Sequence, residues 1–332
     1  MKSIPGMSAV LLALSMAWCA PVRAADLAAD YPNRPIRFVV TYAPGGGTDI
    51  VARQVGEKLT VAWGQQVIVD NRPGAGGMIG TEIVAKSSPD GHALLLGTSA
   101  GMVTQPLLVG KAPYDPLKAF SPVSLLTVDE HTLYVTASLP VGTLKEFIAY
   151  AKARPGALSY GSAGPGSPNH MNMEQFKRAA GIDLIHVPYK GSAQSMADLV
   201  AGRVHVLWGS TAALVQQAKA GKLKALAAGG PHRIKALPDV PTVAEAGMPK
   251  LELNMPWFSI FVPAKTPRPI INKINAEVVR TLTEPETVKR LAGLGYTAQT
   301  STPEELGVHL RKEYQRVKAL LAVLKLSPDQ IQ

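Results

Sequence analysis

The chain has 332 residues, 46% of them hydrophobic, and carries 34 Lys and Arg against 24 Asp and Glu, a formal charge of +10. Only 6% are aromatic and the basic residues are scattered, which argues against the dense basic stripe with stacking rings of a nucleic-acid binder. The single cysteine, Cys19, falls in the first 24 residues, so the rest of the chain has no disulfide, thiolate metal site or cysteine nucleophile.

Those 24 residues read as a cleaved signal peptide. Lys2 is a basic start, residues 7–17 are an apolar stretch too short to span a bilayer, and Val22-Arg23-Ala24 is a small-residue cleavage site. Losing Lys2 and Arg23 brings the formal +10 to about +8, a field that favours small anions. The expected product is an exported soluble protein, periplasmic in a Gram-negative cell. About 308 residues remain, enough for two domains.

Residues 36–41 predict a strand, followed by Gly45-Gly46-Gly47-Thr48-Asp49 and then Val51, Val55, Leu59 and Ala62 at helical spacing. Three glycines let backbone N–H groups approach a bound group, and the helix start adds partial positive charge. Thr48 and Asp49 also suit helix N-caps. Strand 67–69, helix 79–86 and strand 93–96 complete a βαβαβ unit, whose ligand crevice lies at the carboxyl ends of its strands. Tyr42 and Thr98 fall at that edge.

A second series repeats the alternation: strand 133–136, a helix opened by the capping pair Thr143 and Glu146, strand 158–160, a helix opened by Ser167-Pro168, then 184–187, 204–208 and 223–228 as strands. Its loop at 161–170 carries Ser162, Gly166, Ser167 and His170, again at the start of a helix. Ser210 ends a later strand. The two series, joined by crossings near 121–128 and 231–240, predict a clamshell: residues 25–120 with 237–332 as one domain, 121–236 as the other. A strand at 257–262 and helices from 267 onward, the last opened by Thr302 and Glu305, should pack on the first domain.

Other chemistry lacks its residues. Gly45–Thr48 has no Walker lysine, and Gly74–Gly80 misses the dinucleotide spacing at Ile79. His170 and Glu174 share a helix face without a third metal ligand, and Ser162 or Ser167 with His170 lacks a nucleophile elbow. No catalytic residue, metal or cofactor is expected.

The chain resembles the Bug family of extracytoplasmic solute receptors, the binding components of tripartite tricarboxylate transporters. The resemblance rests on Ala43-Pro44-Gly45-Gly46-Gly47-Thr48-Asp49, Asn71-Arg72-Pro73-Gly74, Pro89-Asp90-Gly91, Pro113-Tyr114-Asp115-Pro116, His186-Val187-Pro188-Tyr189-Lys190-Gly191 and Leu237-Pro238-Asp239-Val240-Pro241-Thr242. It implies a type II periplasmic-binding-protein fold with two Rossmann-like domains. It also implies a monomer that holds a small organic acid between the two glycine loops and delivers it to two integral membrane subunits. Presentation of the acid to a membrane sensor is the alternative. In this chain Trp208-Gly209-Ser210 lacks the acidic residue frequent at that strand end, a departure that argues against an amino-acid ligand. Pro165 replaces the more usual Asn of the second loop, and His92 a common Tyr.

Overall fold

The computed structural model describes residues 29–324 except 46, 190, 254 and 295; the leader and Gly46 therefore lie outside the described residues. Two mixed sheets divide the chain. The first has the order β11-β4-β10-β3-β1-β2, with β1 at Ile36–Val40, β2 at Val67–Asn71, β3 at Ala93–Thr98, β4 at Phe120–Asp129, β10 at Trp257–Pro263 and β11 at Tyr296–Ala298. The second runs β7-β6-β8-β5-β9, with β5 at His131–Thr136, β6 at Ser159–Ser162, β7 at Ile185–Pro188, β8 at Val206–Ser210 and β9 at Leu223–Ala228. In both, three parallel strands are joined by a fourth running antiparallel: β10 against β3, and β5 against β8.

The alternation of strand residues puts helices on both faces. Ile36, Phe38 and Val40 pack with Val51, Val55 and Leu59 of α1 (Gly47–Trp63) and with Ile270, Ile274 and Val278 of α8 (Arg268–Thr283). Val39 and Leu95 face the other way, onto Met78 and Val84 of α2 (Met78–Ala85) and Leu306, Leu310 and Val317 of α10 (Pro303–Leu324). The second sheet repeats this layering, with Phe147 of α4 (Leu144–Lys152) and Phe176 of α5 (Pro168–Ala180) on one face, and Leu199 of α6 (Ser192–Val200) and Leu214 of α7 (Thr211–Lys219) on the other. The tail helices pack on the first lobe as expected. α10 also reaches α5 of the second lobe, where Arg178 donates to the Val323 carbonyl at 3.4 Å.

Two boundaries differ from the sequence expectation. Residues 121–128 are not a crossing: they form most of β4, paired with β10 across two register shifts that accommodate Pro122. Beyond β9, Val243, Leu251 and Leu253 are buried in the second lobe's core, and Thr242 bridges to Ala228. On these contacts we draw the division at Asp129–His131 and just before Trp257. Ala62, placed on the buried face by spacing, is exposed in the last turn of α1.

Leu94 in β3 is fully buried, whereas Val61 on α1 is 80% exposed. Leu94→Ala should lower unfolding stability by about 2–5 kcal/mol, and Val61→Ala should change it by less than about 0.5 kcal/mol. Denaturant melts of the two variants measure the contrast.

Candidate functional site

The first loop leaves β1 and enters α1 directly. Helix α1 begins at Gly47, so Thr48 and Asp49 lie inside its first turn instead of before it. Asp49 is buried and reaches back: its Oδ2 accepts from the Gly45 N–H at 2.9 Å and from Arg53 Nε at 2.9 Å. Burial works to raise its pKa, but these bonds, with Asn71, outweigh it and hold the carboxyl below the usual range. Asp49 thus shapes the loop. Helix geometry leaves the first-turn N–H groups of Gly47 and Thr48 without intrahelical acceptors, and the Thr48 hydroxyl is buried beside them. Gly47 admits no side chain, because an added Cβ would lie 1.8 Å from the Tyr296 hydroxyl of β11.

The neighbouring strand ends form a polar cluster. Tyr42 donates to the Gly76 carbonyl at 3.2 Å, and Thr98 Oγ1 accepts from the Gly101 N–H at 3.1 Å. Tyr114 donates to the Gly101 carbonyl at 2.6 Å. Both hydroxyls proposed as ligand donors therefore also fix turns: Tyr42 the one between β2 and α2, and Thr98 the one between β3 and α3 (Gln105–Val109).

The second loop is more self-contained than its glycines suggest. Gly164 N–H donates to Ser162 Oγ at 3.0 Å, Gly166 N–H to His170 Nδ1 at 3.1 Å and Ser167 N–H to the Gly164 carbonyl at 3.1 Å. Ser167 caps α5, accepting from the His170 N–H at 3.4 Å. Since His170 Nδ1 accepts, its neutral ring carries the proton on Nε2, which makes that atom a donor. Burial, then the neighbouring His186, pushes His170 down to about 4, and burial likewise lowers His186. The rings stack at 4.3 Å, with Tyr160 stacked 4.7 Å from His186.

Ser162 bonds His186 Nε2 at 2.7 Å, not His170. That pair resembles a nucleophile and base, yet Ser162 has no exposed surface and its oxygen already accepts from Gly164, so no substrate carbonyl can reach it. Among the described residues no group of three or more metal-binding side chains occurs.

The structure sets the second loop against the first lobe. Gly166, at φ 74°, has Leu108 Cδ1 of α3 2.5 Å from where a Cβ would stand, and Met171 packs into the first lobe's core. Sequence reasoning missed a polar cluster where the two lobes join. Ser210 does not stand alone there: its hydroxyl donates to Asp129 Oδ1 at 2.7 Å, and His131 Nε2 lies 3.2 Å from Asp129 Oδ2. Asp129 and Ser210 are 81 residues apart. No local pattern links them.

Two α/β lobes joined by two crossings, each with a glycine-rich loop between a strand and a helix start, define a periplasmic-type solute-binding protein. The chain belongs to the tripartite tricarboxylate transporter family receptors: the family model, TctC, matches residues 51–326. It is 36% identical to protein BugT of Bordetella pertussis over 295 residues, covering 88% of this chain and 90% of that one. Among solved structures, Rpa4515 of R. palustris with adipate is 34% identical with a TM-score of 0.79, covering 90% of this chain and 99% of that one. MatC from Rhodopseudomonas palustris with bound malate is 32% identical with a TM-score of 0.74, covering 88% and 100%. The type II clamshell and the Bug-family resemblance are thereby shown, and the family is one of periplasmic solute receptors, not enzymes.

The depressed pKa of His170 has a measurable consequence. Between about pH 4 and 6.5 the unfolded chain binds the proton that the folded ring refuses, so stability present at pH 7 is lost as pH falls through that window. A drop from 6.5 to about 4 corresponds to roughly 3 kcal/mol. Melts of wild type and His170→Gln from pH 7 to 4 should show a shallower decline in the variant, with His186 and the depressed carboxylates such as Asp49 and Glu174 supplying what remains.

Proposed function

We propose that the protein, exported by its N-terminal leader, captures a small organic acid as a monomer and delivers it to two integral membrane subunits of a tripartite tricarboxylate-type transporter. The observation that carries this is the first turn of α1. Its leading N–H groups lack intrahelical acceptors, the Thr48 hydroxyl is buried beside them, and we assign the loop that carries His170 in the other lobe to the opposite side of the ligand. A carboxylate satisfies these donors; a neutral sugar leaves the helix charge unmatched. The ligand set we assign is Gly47 and Thr48, with Gly46 of the same loop, and His170 across the cleft. Tyr42, Thr98, Ser162, Gly166, Ser167 and Ser210 line or brace it. Adipate and malate in the relatives' structures support an acid of this size.

A thermal-shift panel tests the class. An acid supplied at a hundred times its Kd should add about 2.7 kcal/mol of stability. A shift with neutral sugars and none with a broad acid panel overturns the reading.

Thr48 and Ser167 separate binding from folding. Thr48→Ala removes a hydrogen bond to a charged group, worth about 1.5–3 kcal/mol, so Kd should rise roughly ten- to a hundred-fold with little loss of stability. Ser167→Ala removes the α5 cap and should cost about 1 kcal/mol of stability. Calorimetry and melting on both variants test the assignment, and native affinity in Thr48→Ala would sink it.

A further inference from the structure

We propose that Asp129 sets the ligand specificity of the cleft, and that the acid bound there carries an ammonium or hydroxyl donor beside its carboxylate. This rests on the carboxylate reading above and narrows it.

Asp129 is the last residue of β4, separated from the start of β5 in the second sheet by Glu130 alone. Its N–H donates to the Pro256 carbonyl at 2.8 Å, so it lies where the outgoing and returning crossings run side by side. Its carboxylate is tied to the second lobe through Ser210, at the carboxyl end of β8. In the first lobe Asp129 pairs directly with Tyr296, whose hydroxyl stands over Gly47. Cross-strand partners sit about 5 Å apart, so the acid is within about one tyrosine's length of the first anion loop. The Asp129 carboxylate is thereby linked to the carboxyl end of β8 in one lobe and, through Tyr296, to the first anion loop in the other.

The group is reachable and has capacity left. Its side chain keeps 15% of its surface exposed. Ser210 and His131 use two of the roughly four acceptor positions of an ionised carboxylate. An ionised acid only accepts, so the His131 proton is on Nε2 and the buried Nδ1 has no partner among the described residues. The neighbouring Glu130 bonds Thr297 and lies in the field of His232 and Lys235, while burial and the Asp129 charge beside it raise its pKa.

Chemistry follows from this placement. An unsubstituted diacid held by the loops offers Asp129 only methylene groups or a second negative charge, and both leave the acceptor unsatisfied. A 2-amino or 2-hydroxy acid presents a donor there while its carboxylates face the helix ends. Ser210 stands at the strand end where the acidic residue expected from the family is missing, yet a carboxylate bonds its hydroxyl, supplied from the outgoing crossing. The expectation against amino acids, drawn from Trp208-Gly209-Ser210 alone, therefore reverses.

Calorimetry with matched probes tests this: succinate, malate and aspartate as one set, glutarate, 2-hydroxyglutarate and glutamate as another. In wild-type protein the substituted member of at least one set should bind tenfold or more tighter than its plain diacid. Asp129→Asn should reduce that preference ten- to a hundred-fold and leave the plain diacid bound as well or better, while Glu130→Gln keeps the preference. Plain diacids binding as tightly as their substituted partners in the wild type would overturn the proposal without any variant. So would an unchanged preference in a folded Asp129→Asn protein. In both cases carboxylate capture stands. Silence from every acid would overturn carboxylate capture itself and this inference with it.

Discussion

Each sheet takes its fourth strand from a segment that has just arrived from the other lobe. β5 follows β4 of the first lobe and lies between β8 and β9; β10 follows the second lobe and lies between β3 and β4. An interior strand is held by ladders on both sides, so neither can shift within its sheet without breaking two rows of hydrogen bonds. Relative motion of the lobes is left to the short stretch at Asp129–His131 and the longer return before Trp257. The cleft inherits this constraint. Its floor is fixed by paired strands, while its walls, the two glycine loops, ride on separate bodies.

The two walls are not equivalent. The first loop uses one side chain, Asp49, to gather its backbone, and spends only the Gly45 N–H in doing so. The helix behind it has leading donors without intrahelical acceptors. The second loop closes on itself through Ser162, His170 and the Gly164 carbonyl, and presents a ring nitrogen where the first presents backbone. A bound acid would thus meet a rigid backbone cradle on one side and a single imidazole donor on the other. The neutral state of that imidazole is enforced by burial beside a second ring, not by a counter-charge.

Most of the layering was legible in the chain because both halves of each βαβαβ unit obey simple periods: Ile36, Phe38 and Val40 face one way and Val39 the other, and Val51, Val55 and Leu59 form one stripe. Both glycine loops could be read for the same reason, since each sits between a clear strand and a clear helix start. β4 was hidden by Pro122, which normally argues against an interior strand and is tolerated here because the pairing with β10 shifts register beside it. The hydrogen-bond commitments of the second loop could not be read locally. They depend on His186, 24 residues beyond Ser162 and positioned by β7 pairing beside β6. Asp129 was still less visible, because its role exists only once β4, β8 and β11 meet.

The interleaving of strands also orders events in time. The second sheet is built from one continuous stretch, His131 to Ala228, and its partners are all present once that stretch has emerged. The first sheet lacks its interior β10 until residues 257–263 exist, although β1 is among the earliest strands made. In a chain that emerges from its N-terminus, the first lobe must therefore wait with β3 and β4 unjoined while the second completes itself. The lobe that opens the sequence is the last to close, and its exposed strand edges are the part of the molecule most in need of protection on the way.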